Sequence, residues 1–302
     1  VSAPVLRIGL DMGGSKTDAV LVEGDTILHR VRIATTWGPV GVIDTAVRAI
    51  DEVRSLGGVD IHDVASVGIG VPGQVADARL VRHAVNLGVE ELALADLLGE
   101  RIDRPVVVEN DVKAAAVGAA RLLGAPGSFV YLNLGTGVAA GHVHDGELRP
   151  GARGTAGEVG HVSIDPAGHP CRCGQRGCIE TLAGGAYIAE HWGVSSDYPV
   201  LAVFDAADRG DERAVAIREG LARGVASAIT LLSLTIDPHR IAIGGGISAL
   251  GERLTEVVCL ELDRGARGSD FLRSLDLASR IDILPRALPA AAYGAAIVAL
   301  TH

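Results

Sequence analysis

The sequence predicts an α/β protein, on three observations. Short apolar runs that read as buried strands alternate with longer stretches whose apolar residues recur at helical spacing. A strand, a Gly-rich turn and a second strand occur together twice. Several strands end directly in Gly, Asn or Asp, at the carboxyl ends where α/β folds place their ligands.

In chain order, Val5–Leu10 reads as an apolar strand, Asp11-Met12-Gly13-Gly14-Ser15-Lys16-Thr17 as a tight polar turn, and Ala19–Val22 as a second strand. Gly41–Leu56 has helical spacing through Val42, Ala46, Ala49 and Val53. Val64–Val71 is a buried strand ending at Pro72-Gly73, Leu92–Ile102 is helical, Val106–Glu109 is a strand ending at Asn110-Asp111, and Ala114–Leu123 is a helix. The hairpin design recurs as Phe129–Leu134, Gly135-Thr136-Gly137 and Val138–Val143. The glycines of both turns permit positive φ and close backbone approach to a ligand. Glu212–Leu234 is a long apolar-striped helix, Arg240–Ile243 a strand running into Gly244-Gly245-Gly246, and Ala290–Leu300 a final helix. The two hairpins suggest two related halves, with a boundary near residue 120: a smaller N-terminal α/β domain over 1–119, completed by a helix at 290–302, and a larger one over 120–289.

With 302 residues, 48% of them hydrophobic, the chain has material for one large or two ordinary domains. Charged residues are 21%, which excludes disorder as the main state. A net charge of −10 argues against a nucleic-acid surface. Leu122–His144 carries no Asp, Glu, Lys or Arg, but its glycines and Pro126 fit buried strands and a turn better than a membrane span. No basic segment precedes an apolar stretch at the start, so the chain is expected to be soluble and cytoplasmic, with no membrane partner.

His161, Cys171, Cys173 and Cys178 stand in the order H-x9-C-x-C-x4-C. Three thiolates and an imidazole are a tetrahedral zinc set, and Gly168, Pro170, Gly174 and Gly177 supply the turns of a compact loop. The competing reading is three free buried cysteines or a Cys171–Cys173 redox pair. His169 is a second possible ligand with harder geometry, and Cys259 reads as core. Glu158 and Glu180 flank the cluster; carboxylates on a rigid loop suit recognition of several hydroxyls, as on a sugar. Asn110-Asp111 reads either as a helix cap or as a general base at a strand end, where the helix N-terminus favours the charged carboxylate.

Asp11-Met12-Gly13-Gly14-Ser15-Lys16-Thr17, Glu109-Asn110-Asp111, Leu134-Gly135-Thr136-Gly137, Gly157-Glu158-Val159-Gly160-His161 and Cys171-Arg172-Cys173-Gly174-Gln175-Arg176-Gly177-Cys178-Ile179-Glu180 follow one another in an order that resembles the ROK family (repressors, open reading frames and kinases), especially its sugar kinases. The resemblance implies an actin-like ATPase (ribonuclease H-like) fold, two α/β domains with a cleft between them, and ATP-dependent phosphorylation of a hexose at its 6-hydroxyl, glucose first. N-acetylhexosamine, mannose, fructose and allose stand behind glucose, and a non-catalytic sugar-binding regulator without a DNA-binding domain is the other class.

By the same resemblance, Asp111 is the general base. Gly73, Asn110, Glu158, His161 and Glu180 join Asp111 in binding the sugar, and His161 also holds structural Zn²⁺ with the three cysteines. Asp11, Gly13, Gly14, Ser15, Lys16, Thr17, Gly135, Thr136, Gly137, Gly245 and Gly246 form the ATP side, with Asp11 holding Mg²⁺ and the glycine turns aiming N–H groups at phosphates. The Gly244 triplet by itself also fits a plain strand-to-helix turn. A homodimer or homotetramer is expected, with hexose and ATP as small-molecule partners. The chain departs from the family pattern at Lys113, at Ala119 and after Asn86-Leu87, where a tryptophan is frequent. Lys113 and Lys16 are the chain's two lysines. Lys113 lies two helical positions from Asp111 and is expected not to pair with it.

Overall fold

A computed structural model describes residues 5–300. They form two compact units: the first holds the residues up to Ala125, Gly141–Ala156 and those from Ala287 on, and the second holds Pro126–Ala140 and Gly157–Arg286.

The first unit opens with β1 (Leu6–Met12), β2 (Lys16–Glu23), β3 (Thr26–Ala34), α1 (Pro39–Gly57) and β4 (Val64–Val71). It continues with β5 (Gln74–Ala76), β6 (Leu80–Ala84), β7 (Val89–Leu92), α2 (Leu94–Ile102), β8 (Val106–Asn110) and α3 (Asp111–Leu122). Five strands pair in the order β3-β2-β1-β4-β8, and β5, β6 and β7 make a separate small sheet. β1 runs antiparallel to β2 and parallel to β4. Ile8, Leu10 and Met12 alternate along β1 and pack with Val42, Ala46, Ala49, Ile50 and Val53 of α1 and Leu94 and Leu98 of α2. α1 starts with Pro39 in its first turn, where the missing N–H is harmless, and stops at Gly58, whose φ of 63° supplies the left-handed cap. Leu92 ends β7 rather than beginning the helix expected there; α2 starts two residues later.

Next come β9 (Ser128–Leu134), β10 (Val138–His144), β11 (Glu147–Leu148), α4 (Glu180–Ala183), α5 (Gly185–Trp192), α6 (Pro199–Asp208) and α7 (Glu212–Ile236). β12 (Arg240–Gly244), α8 (Glu252–Ala266), α9 (Asp270–Ser274), β13 (Ile281–Ile283) and α10 (Ala290–Val298) complete the chain. A second five-stranded sheet has the order β11-β10-β9-β12-β13. The uncharged run from Leu122 to His144 thus becomes mostly strand and turn. α7 is long and apolar enough to cross a membrane by length and composition. It lies against α4, α6 and α8, and Leu221, Val225, Ile229 and Leu232 line its buried face in the second core. Cys259 is half-buried on α8, beside rather than within the apolar row Leu254, Val258 and Leu262.

α10 returns to the first unit and packs on β1, β4 and α3. Its approach is closer than a side chain would allow. A Cβ on Gly9 would stand 1.9 Å from the Ala292 carbonyl, and one on Gly68 would stand 1.9 Å from that of Ala295. Gly118 faces the Ala290 carbonyl at 1.9 Å, and Gly294 faces that of Ala114 at 1.7 Å, by the same measure. Gly141–Ala156 also belongs to the first unit, with Gly141 against Ala116 of α3. A single boundary near residue 120 does not anticipate this second crossing, because the return is made by close backbone approach of Gly141 to α3 and not by any local signal.

Candidate functional site

The first unit gathers one set of chemistry-bearing residues at the carboxyl ends of β1, β4 and β8. Asn110 closes β8 and caps α3: its Oδ1 accepts from Val112 N at 3.1 Å and Lys113 N at 3.2 Å. Its Nδ2 donates to the Gly73 carbonyl at 3.1 Å. Gly73 has φ 96°, and a Cβ there would stand 2.6 Å from the Arg82 carbonyl, so only glycine fits this turn. Asp111 is the first helical residue, half-buried, with Oδ1 accepting from Val112 N at 2.9 Å. The cap and the candidate base are thus neighbouring residues with separate tasks.

Asp11 is half-buried, lies opposite Asp18 in the β1–β2 pairing and beside Gly70 in the β1–β4 pairing. Gly70 in turn packs on the Asp111 Cα. Burial first, then the charges of Asp111 and Asp18, push the Asp11 carboxyl up to about 7, with Arg32 and Arg30 acting against them. Asp18 itself is ion-paired to Arg30 at 3.0 Å and Arg32 at 2.7 Å. Such a carboxylate is suited to a cation that would hold it charged.

The turn after Asp11 is closed by Gly13 N donating to the Lys16 carbonyl at 3.0 Å. The Gly13 N–H is therefore committed to the turn and not available to a phosphate. Gly14 sits tight against Asn86, whose carbonyl would lie 2.7 Å from a Cβ. Ser15 and Lys16 are exposed. Thr17 is fully buried, its hydroxyl 2.8 Å from that of Thr35. Strand alternation turns Thr17 inward, so its side chain is not presented with its neighbours on the exposed side of the turn.

In the second unit the other glycine turn is built the same way, with Gly135 N donating to the Gly137 carbonyl at 3.0 Å. Gly185 N and Ala186 N at the start of α5 hold the carbonyls of Gly135 and Thr136. Glu180 reaches the turn as well: its Oε2 accepts from Val138 N at 2.9 Å and would lie 2.3 Å from a Cβ on Gly137. Gly245 has φ 83° and no room for a side chain beside Leu134, whereas Gly246 faces open space.

His161, Cys171, Cys173 and Cys178 converge, with their ligand atoms all within 4.8 Å of one another. His161 Nδ1 is 3.8 Å from Cys171 Sγ, and Cys173 Sγ is 3.7 Å from Cys178 Sγ. A tetrahedral zinc, with bonds of about 2.3 Å to sulfur and about 2.0 Å to nitrogen, sets its ligands roughly 3.5–3.8 Å apart. The four residues fit a structural zinc ion, held through Nδ1 of the histidine. The thiols are unlike one another: burial pushes Cys178 up to about 12, and a backbone hydrogen bond from Gln175 brings Cys173 down to about 6. A dication offsets the cost of several thiolates so close together.

Backbone bonds shape this loop, among them Ile164 N to Gly177 O at 2.9 Å and Cys171 N to Gln175 O at 2.8 Å. Tyr187 supports it from α5, accepting from Arg172 N at 2.6 Å and donating to Cys171 Sγ at 3.7 Å. The sequence carried no signal for Tyr187, which lies on another element. His169 is outside the four-residue group and packs on His191, ring centroids 4.2 Å apart. Glu158 is exposed just before a short helical turn, where its carbonyl accepts from His161 N at 3.1 Å.

Of the departures, Lys113 is buried, and its Nζ donates to the Gly154 carbonyl. Ala119 is fully buried in α3. At the place of the missing tryptophan, Trp37 lies over Gly88, and a Cβ on that glycine would be 2.2 Å from the indole.

The fold and these sites define an actin-like α/β ATPase architecture with a glycine turn in each unit and a Cys₃His loop. The sequence pattern of the ROK family matches residues 7–270, and the chain belongs to that family. It is 33% identical over 292 residues to the glucokinase of Halalkalibacterium halodurans, covering 87% of this chain and 88% of that protein. It is 31% identical over 281 residues to the N-acetylmannosamine kinase of Haemophilus influenzae, covering 87% and 91%. The crystal structure of a ROK family glucokinase from Streptomyces griseus in complex with glucose and AMPPNP superposes with a TM-score of 0.78 at 30% identity, over 98% of this chain and 100% of that one.

Proposed function

We propose that this protein catalyses ATP-dependent phosphorylation of a hexose at the 6-hydroxyl, with glucose as the acceptor and Asp111 as the general base. The observation that carries this reading is the position of Asp111. It stands at the carboxyl end of β8 and the head of a buried helix, with its backbone set by the Asn110 cap and the Asn110–Gly73 bond. Its carboxylate would take the proton of the attacking hydroxyl, and phosphoryl transfer asks for little else beyond positioning and charge neutralisation.

Asn110, Gly73, Glu158, His161 and Glu180 are assigned to the sugar. Because His161 turns Nδ1 toward the sulfurs, Nε2 is the ring nitrogen left for a hydroxyl. On Glu180, the Oε1 atom is assigned to the sugar, since Oε2 is bonded to Val138 N. Asp11 would hold Mg²⁺, which neutralises phosphate charge when bound. Lys16, the remaining N–H groups of the two glycine turns and the open face at Gly246 would receive ATP. The reading also has the enzyme act in the cytoplasm as a homodimer or homotetramer, without nucleic acid.

A second acceptor, N-acetylmannosamine, is favoured by the relative from Haemophilus influenzae. A coupled phosphorylation screen of hexoses and acetamido-hexoses, with ATP and with polyphosphate as donors, separates the two. The expected result is highest kcat/KM with glucose and ATP; inactivity across the panel defeats the kinase reading. Asp111→Asn should lower turnover by about 10²–10⁴-fold with sugar binding largely retained, and near-normal turnover would remove Asp111 as the base.

A further inference from the structure

Lys113 is a buried lysine, 7% exposed, in a helix buried from Val112 to Ala120. Its ammonium bonds a backbone carbonyl, that of Gly154, rather than a carboxylate. A buried ammonium on a neutral partner is costly, and that cost calls for a return elsewhere. The other lysine, Lys16, is exposed on a strand, so the two are not equivalent.

Two segments meet at the ammonium, and a third flanks the Gly154 loop. One is the first turn of α3, which carries Asn110 and Asp111. The second is the loop around Gly154, where a Cβ on that glycine would stand 3.9 Å from Nζ and 4.0 Å from the Val75 carbonyl. The third is β5, which contains Val75 and starts directly after Gly73. The Gly154 loop is internally braced by Gly154 N to Gly151 O at 3.3 Å and Ala156 N to Pro150 O at 3.1 Å. It runs straight into Gly157-Glu158. The helix start carries Asn110 and Asp111, and β5 follows directly on Gly73, so two of the three segments bear residues assigned above to the acceptor sugar.

We infer that Lys113 is a positioning residue for the acceptor: within the first unit it pins the Gly154 loop to α3, beside the strand that follows Gly73 and the helix start that carries Asn110. The long unbranched stem reaches Gly154 from a buried helix position and ends in a compact ammonium rather than a planar fork. The kinetic part of this inference rests on the sugar-kinase reading; the structural part does not.

The test compares Lys113→Met, which keeps the stem and removes the donor, with Lys113→Gln, which keeps a neutral donor on a shorter stem. Amide hydrogen exchange over residues 150–157 is read first and needs no activity. At least tenfold faster exchange there in Lys113→Met, with α1 unchanged, is expected, and exchange equal to wild type overturns the inference. On the active enzyme, Lys113→Met should raise KM for glucose at least tenfold while KM for ATP stays within twofold, and Lys113→Gln should recover part of that loss. Equal effects on both KM values would overturn the assignment to the acceptor. A displaced acid limb in the pH profile of kcat/KM would instead make Lys113 an electrostatic partner of Asp111, and would also overturn it. Should both variants fail to fold, exchange in the wild type decides: residues 150–157 protected as strongly as α3 support the pin, and unprotected ones refute it. An inactive wild type with loosened exchange in Lys113→Met would defeat the kinase reading and leave the pin standing.

Discussion

Asn110 Nδ2 and the Gly73 carbonyl are joined by a 3.1 Å hydrogen bond between residues 37 apart in the chain. The same side chain caps α3 through Oδ1. One residue therefore joins the start of α3, which carries Asp111, to the turn after β4, and its two ends can be tested separately.

Asn110→Asp keeps an oxygen for the cap but loses the donor to Gly73. Asn110→Ala loses both. The alanine variant should be less stable by about 1 kcal/mol, the usual cost of a lost cap, with the aspartate variant closer to wild type in denaturant unfolding. Both should raise KM for glucose. A glucose KM unchanged in Asn110→Asp would separate the Gly73 bond from sugar binding.

Two glycine substitutions should act with opposite sign. In Gly294→Ala the new methyl would meet the Ala114 carbonyl at 1.7 Å, so α10 must leave its seat on α3. A loss of about 3 kcal/mol or more is expected from overpacking of this severity. Gly265 lies in α8 with open space where its Cβ would be. Gly265→Ala should stabilise by about 0.5–1 kcal/mol through helix propensity and a less flexible unfolded chain. Urea unfolding of both variants gives the comparison, and a tolerated Gly294→Ala would contradict the close packing of α10.

Asp11 should make the ligand-free protein less stable as pH rises. Its carboxyl is raised from 3.8 to about 7, by burial first and then by Asp111 and Asp18. Between those values the folded state holds a proton that the unfolded state has released. Stability is therefore highest on the acid side of that window and falls as pH climbs toward 7. Asp11→Asn should flatten this part of the pH–stability curve and weaken Mg²⁺-dependent ATP binding. Thermal unfolding at pH 5 and pH 7.5 checks the slope; equal slopes in wild type and Asp11→Asn would contradict the assignment.

Zinc should be present at one ion per chain and be lost from Cys173→Ser, together with a lower melting temperature and weaker sugar binding. Cys259→Ser serves as the control, since Cys259 lies on α8 outside the four-residue group. Metal analysis of the purified protein decides; a zinc-free, fully stable wild type would overturn the Cys₃His site.

The parts that were legible in advance have local causes. Val64–Val71 is a strand with those ends because a β-rich apolar run stops at Pro72-Gly73. The Cys₃His group is readable because three of its members sit within one short loop. By contrast β3 has no fully buried residue, and only Val31 and Ile33, alternating with Arg30 and Arg32, mark its inner face. β5, β6 and β7 are short, and Leu92, apolar at the edge of a helical pattern, was drawn into the wrong element.

The sequence by itself determined the fold class, the family, the two glycine turns and the Cys₃His group, and it singled out Asp111 as a candidate, since these motifs are carried by spacing within short stretches. Tertiary structure alone decided that Thr17 turns inward onto Thr35, that Glu180 braces Val138 N, and that Lys113 reaches the Gly154 carbonyl. It also decided that α10 closes on β1, β4 and α3 through Gly9, Gly68, Gly118 and Gly294. These outcomes depend on which surfaces meet after long stretches of chain have folded back. Hydrophobic periodicity says that a face is buried; it does not say against what.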